Sequence, residues 1–128
     1  MSPAARYEVL WTETAFQMLS GIGDRRIQQQ LFDTSKRLEV EPDKQGKPLH
    51  ESLLGYRSLR AAGQRYRVIY SLDPKTLRVY VVAAGLRRQG ARDDIYELAQ
   101  RMIGLGLAPS VRRPQERVRK VARPKKKR

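Results

Sequence analysis

Between Tyr56 and Ala84 three β-prone runs follow one another with only tight turns between them, and that spacing admits only antiparallel hairpins. The runs are Tyr56–Ala61, Tyr66–Leu72 (YRVIYSL) and Leu77–Ala84 (LRVYVVAA). Ala62-Gly63-Gln64 supplies the first turn, and Asp73-Pro74-Lys75-Thr76 the second, with proline at the position its fixed φ suits. Parallel pairing would need a crossover of roughly a dozen residues, which neither turn provides. The third run becomes apolar on both faces toward its end, so it reads as the buried strand of the meander.

The flanking segments read as helices and one more strand. Tyr7–Trp11 (YEVLW) alternates as a half-buried strand. Thr12 caps a short helix through Leu19, ended by Ser20-Gly21-Ile22-Gly23. Asp24 caps a longer helix with Ile27, Leu31, Thr34 and Leu38 at helical spacing, stopped at Glu41-Pro42. Pro42 to Gly55 reads as a polar loop, and Gly85 to Arg92 as a glycine-containing one. Asp93 or Asp94 caps a last helix through about Ile103, with Ile95, Leu98, Ala99 and Met102 on its apolar face. The expected class is α+β in the order β-α-α-β-β-β-α. A small, mainly antiparallel sheet carries two N-terminal helices on one face, and a short C-terminal helix follows.

Charge divides the chain more sharply than length does. Of 128 residues, 27 are Lys or Arg and 13 Asp or Glu, a net charge of +14. Residues 1–55 are almost neutral, whereas residues 56–92 hold nine basic side chains against one acid, Asp73. Residues 104–128 hold ten against one, with three prolines and no aromatic residue. That last segment buries too little apolar surface to offset its ordering entropy. The expected organisation is a folded domain over 1–103 and a disordered basic tail over 104–128. Two basic blocks behind a neutral half point to a polyanionic partner, nucleic acid above all.

The same composition removes whole classes of chemistry. There is no cysteine, hence no disulfide, thiolate nucleophile or cysteine-ligated metal, and the single histidine, His50, cannot build a metal cluster or a triad. No cofactor and no metal is expected. No apolar run reaches the roughly 18–20 residues that span a bilayer, and MSPAARYEV lacks a secretory apolar stretch. A cytoplasmic protein without a membrane partner is expected. Trp11 reads as a packing residue, His50 as an exposed loop residue, and Asp93 and Asp94 as helix caps rather than metal ligands.

Arginine and tyrosine remain. Alternation along Tyr66–Tyr70 places Tyr66, Val68 and Tyr70 on one face and Arg67 with Ile69 on the other. Consecutive hairpins would let Arg57, Arg60, Arg67 and Arg87 converge on the face opposite the helices. Arg57 and Arg60 are three apart, however, so a regular strand sends them to opposite faces unless a bulge intervenes. Guanidinium groups grip phosphate oxygens in pairs and stay charged at any cellular pH. Arg65, Arg88 and Arg92, with Lys125, Lys126 and Lys127 in the tail, extend the basic surface as RNA-binding candidates.

The run Gly55-Tyr56-Arg57-Ser58-Leu59-Arg60, then Gly63, then Tyr66-Arg67-Val68-Ile69-Tyr70, resembles the signature of the RelE/ParE toxin superfamily. So does Val81-Val82-Ala83-Ala84-Gly85-Leu86-Arg87 followed by Asp94-Ile95-Tyr96. The resemblance runs from residue 7 to about 103 in the same element order and leaves out the tail. It implies a toxin of a type II toxin–antitoxin pair, and in the RelE-like branch a ribosome-dependent messenger RNA endoribonuclease that needs no metal. Carried over, Arg67 matches the strand arginine that grips the scissile phosphate, and Arg87 the arginine at the leaving group. Tyr96 matches the aromatic that stacks on or orients the nucleotide. Arg57 and Arg60 stand near two basic positions where the best-known member has lysines. Arginine there supplies charge rather than a base, since its pKa lies above about 12.

The resemblance also implies partners. These are an antitoxin laying an acidic segment over the basic face, the ribosome with its messenger RNA, and operator DNA reached through the antitoxin. In the superfamily the mixed charged face of the early helices also receives the antitoxin. The rival readings are a ParE-like DNA gyrase inhibitor without enzymatic activity, and a degenerate RNA-binding relative. The tail is expected to act as a ribosome or RNA anchor.

Overall fold

A computed structural model describes residues 5–104 and a short strand at Arg119–Lys120. The elements are β1 (Glu8–Trp11), α1 (Glu13–Ser20), α2 (Arg25–Lys36), β2 (Lys47–Pro48), β3 (Arg57–Ala61), β4 (Tyr66–Asp73), β5 (Arg78–Leu86), α3 (Ile95–Gly104) and β6 (Arg119–Lys120). Single 3-10 turns lie at Arg37–Glu39, Pro42–Lys44 and Glu51–Leu53. The strands form one sheet in the order β2-β3-β4-β5-β1-β6. All neighbours are antiparallel except β1 and β5, which run parallel.

The expected caps form. Thr12 Oγ1 accepts a 3.1 Å hydrogen bond from the Ala15 amide, and Asp24 Oδ1 one of 2.9 Å from Arg26. Each such cap is worth about 1 kcal/mol. The long helix stops earlier than its apolar spacing suggests, and Leu38 is buried from the following 3-10 turn instead. Two elements were not expected. The polar loop contributes β2 at one edge, and Arg119–Lys120 pairs with Leu10 and Trp11 at the other. That pairing falls inside the span expected to be a disordered tail. Residues 105–118 and 121–128, Lys125, Lys126 and Lys127 included, lie outside the described residues.

Helices cover both faces of the sheet. On one, Leu19, Leu31 and Leu38 pack against Val68, Tyr70, Val79 and Val81, all fully buried. Trp11 sits at the margin of this layer, with its indole N–H 3.3 Å from Ser35 Oγ. On the other, α3 and the Glu51–Leu53 turn bury Ile69, Tyr80, Val82 and Ala83 beneath Leu53, Tyr56, Ile95 and Ala99. The face expected to lie open opposite the helices is therefore shared with α3.

The register explains which side chains meet. β3 pairs with β4 without interruption, Arg57 opposite Tyr70 and Arg60 opposite Arg67. β5 carries the irregularity: Ile69 faces Ala83 while Tyr70 faces Val81, which leaves Val82 as an extra residue. The bulge sends Val82 and Ala83 to the same face and brings Gly85 opposite Arg67. Gly85 lets α3 approach, since a Cβ there would stand 3.1 Å from Ile95 Cδ1.

β2 depends on a second glycine. Gly46 has φ +63°, and a Cβ would lie 2.5 Å from the Ser58 carbonyl oxygen. Gly46→Ala is expected to cost about 2–4 kcal/mol, from left-handed strain plus the clash, read as a lowered urea midpoint.

Candidate functional site

A groove of about 600 Å³ opens on the α3 side of the sheet, between the start of α3 and the outer strands. Five cations line it: Arg37, Lys47, Arg60, Arg67 and Arg87. Ser58 and Tyr96 share the lining, and no carboxylate does. Arg60 and Arg67 stand directly opposite each other across β3 and β4. Like charges in that position destabilise a sheet. Hydrogen bonds tie both to the β3–β4 hairpin: Arg60 donates to Gln64 Oε1 at 3.1 Å, and Arg67 to the carbonyls of Gln64 and Tyr66 at 2.8 and 3.0 Å.

Arg87 follows β5 and is fixed by the turn ahead of α3. Its guanidinium lies 2.7 Å from Asp94 Oδ2, and the Asp94 side chain is only 2% exposed. The Arg87 Cζ stands 4.5 Å from the centre of the Tyr96 ring, a cation–π contact. Asp94 also accepts from the Arg88 and Tyr96 backbone amides. Burial alone would push the Asp94 carboxyl up. The Arg87 guanidinium and the two amides outweigh it and hold the group below the usual carboxylate range. Tyr96 is pinned at its other end by a 2.7 Å hydrogen bond between its hydroxyl and Ser58 Oγ. Burial pushes the hydroxyls of Tyr56 and Tyr70 upward, which keeps both protonated.

The structure thus brings Arg60, Arg67, Arg87 and Tyr96 together, and it excludes Arg57. With β3 regular, Arg57 turns to the α1–α2 side, where its Nε and a terminal nitrogen each donate to the Gln45 carbonyl at 3.1 Å. The expectation that all four arginines converge is corrected here: Arg57 clamps the loop that carries β2. Arg65, Arg88 and Arg92 are exposed around the groove rather than in it. The Arg65 carbonyl accepts from the Arg87 amide at 2.7 Å, and Arg88 lies 3.8 Å from Asp93. His50 is exposed in its loop.

Sequence reasoning missed Arg37, Lys47, Ser58 and the ionic role of Asp94. Ser58 was within reach, because it shares the alternation phase of Arg60. Arg37 and Lys47 leave no local signal, since one ends a helix and the other lies in a loop whose pairing partner is not adjacent in sequence. Among the described residues no group of three His, Cys, Asp or Glu could hold a metal ion. No described helix is long and apolar enough to cross a membrane.

Fold and groove define a class: a small α+β protein with a cationic groove on one face of a mainly antiparallel sheet. Residues 9–91 match the family model described as the ParE toxin of the type II toxin–antitoxin system, parDE. The chain therefore belongs to this family, within the RelE/ParE superfamily of toxins. No curated protein matches. Among solved structures, the toxin–antitoxin complex RelBE2 of Mycobacterium tuberculosis is similar at 31% identity and a TM-score of 0.59, over 65% of this chain and 93% of that one. A free-state variant of the E. coli RelE toxin shares the fold, at 17% identity and the same TM-score, over 77% of this chain and 98% of that one.

Proposed function

We propose that this toxin is a RelE-like endoribonuclease that cleaves messenger RNA on the ribosome and is neutralised by a cognate antitoxin. The observation that carries this reading is the pinned pair Arg87 and Tyr96 beside Arg60 and Arg67 in one groove. Three guanidinium groups surround a space where a phosphate could sit, and an oriented phenol borders it.

The substrate supplies its own nucleophile. The ribose 2′-hydroxyl attacks the adjacent phosphorus, the bond to the 5′-oxygen of the next nucleotide breaks, and the products are a 2′,3′-cyclic phosphate and a free 5′-hydroxyl. The 2′-hydroxyl loses a proton and the leaving oxygen gains one. Arg60 and Arg67 stabilise the charge that builds on the phosphoryl oxygens. Arg87 lies toward the leaving oxygen, and Tyr96 orients the nucleotide.

The Mycobacterium tuberculosis relative forms a toxin–antitoxin complex, which supports an antitoxin partner here; that partner is expected to place an acidic segment over the cationic groove. Operator DNA would be met only through that antitoxin. Membership in the ParE toxin family favours a second reading, a gyrase inhibitor that cuts no RNA. Primer extension on cellular messages after induction separates the two. Codon-phased cuts support the ribonuclease, whereas intact messages with double-strand DNA breaks overturn it.

A further inference from the structure

The groove does not end at the sheet face. β2 pairs with β3 only at Arg57 and Ser58, so Leu59–Ala61 has no outer neighbour among the described residues. A second concavity of about 410 Å³ lies at this open edge, lined by Thr34, Arg37, Arg60 and the turn Ala62-Gly63-Gln64. Arg37 and Arg60 line both concavities, so the two adjoin across the edge of the sheet and together outline one cationic channel for an extended ligand.

The channel is longer than one phosphate and its charge is largely uncompensated. Successive strands lie about 4.8 Å apart, so the row from Arg60 across Arg67 to β5 spans about 10 Å, with Arg37 beyond it. Of the five groove cations only Arg87 has a carboxylate partner among the described residues. Arg37 is exposed, and its guanidinium makes no hydrogen bond or ion pair among the described residues. Four crowded cations without counter-charge set up the field that concentrates a flexible polyanion.

We propose that a single-stranded RNA follows this channel over the β3 edge, with Arg37 gripping a phosphate that flanks the one between Arg60, Arg67 and Arg87. The proposal rests on the ribonuclease reading for the identity of the strand, and it deepens that reading by adding a second phosphate site. Such a contact contributes affinity and register without touching the reacting atoms.

The test compares full-length toxin with its Arg37→Glu variant, using 2′-O-methyl RNA that cannot be cleaved. Fluorescence anisotropy reads the affinity of an octanucleotide across a salt series, and competition reads that of a dinucleotide. The octanucleotide is expected to bind about tenfold more weakly, with the salt slope reduced by about 0.7, while the dinucleotide changes less than twofold. An unchanged octanucleotide affinity overturns the proposal. So does an equal loss for both probes, which would make Arg37 part of the central site. If octanucleotide binding persists while an acidic peptide loses its own, the open edge is a peptide site and the RNA path is wrong. Because the probes resist cleavage, failure of the ribonuclease reading would show only in primer extension.

Discussion

Replacing Arg67 with alanine is expected to end growth arrest, and Arg87→Ala to do the same, each lowering RNA cleavage by about 100- to 1000-fold. That range is what removing one preordered donor from a developing oxyanion costs. The two act at different points. Arg67 is held to the turn by the Gln64 and Tyr66 carbonyls, at the centre of the row formed with Arg60. Arg87 reaches the groove from the other side, stacked on Tyr96. Losing the Arg67 hydrogen bonds, at a partly exposed position, costs the fold only about 1 kcal/mol. Circular dichroism should therefore look native while single-turnover primer extension shows the loss. If both single variants stay fully toxic, the assignment of this groove is wrong.

Asp94→Asn is expected to lower cleavage about tenfold or more, although residue 94 lines no part of the groove. The carboxylate supplies the charge that fixes Arg87, and a carboxamide keeps the shape without the charge. Arg87 is partly open to solvent, so the stability loss at neutral pH should be about 2 kcal/mol, below the range for fully buried pairs. The pH dependence has a definite sign. Asp94 titrates lower in the folded chain than in the unfolded one. Its contribution is therefore complete above about pH 4, the unfolded value, and disappears as pH falls through the folded one. Urea midpoints of the two proteins should differ at pH 7 and converge at strongly acid pH. A gap that persists in acid would mean that packing, not charge, holds the turn.

Much of the fold could be read from the sequence because its signals are local. Thr12 and Asp24 cap the helices they precede, and the β3–β4 and β4–β5 turns sit where glycine and proline place them. Arg60 and Arg67 could be paired by counting back from the turn. What stayed hidden depends on contacts across sequence. Arg57 was misplaced because its true partner, the Gln45 carbonyl, belongs to a loop with no periodicity. Lys47 reaches the groove only because Gly46 lets that loop lie against β3. Asp94 looked like a cap and serves as one. Its bond to Arg87 closes a loop that sequence spacing cannot show.

The extra residue at Val82 acts as a parity bit for the strand that carries it. Ahead of it, Val79 and Val81 look toward α1 and α2. Beyond it, Ala84 takes that side, and the odd-numbered positions Ala83 and Gly85 change over to α3. Arg87 inherits the inverted count. Shortening the run Val81–Ala84 by one residue would leave the sequence almost unaltered and still apolar, yet it would turn Arg87 away from Tyr96 and Asp94. The hydrophobic run between Tyr80 and Gly85 is thus more than core filling. Its length decides on which side of the sheet Arg87 emerges.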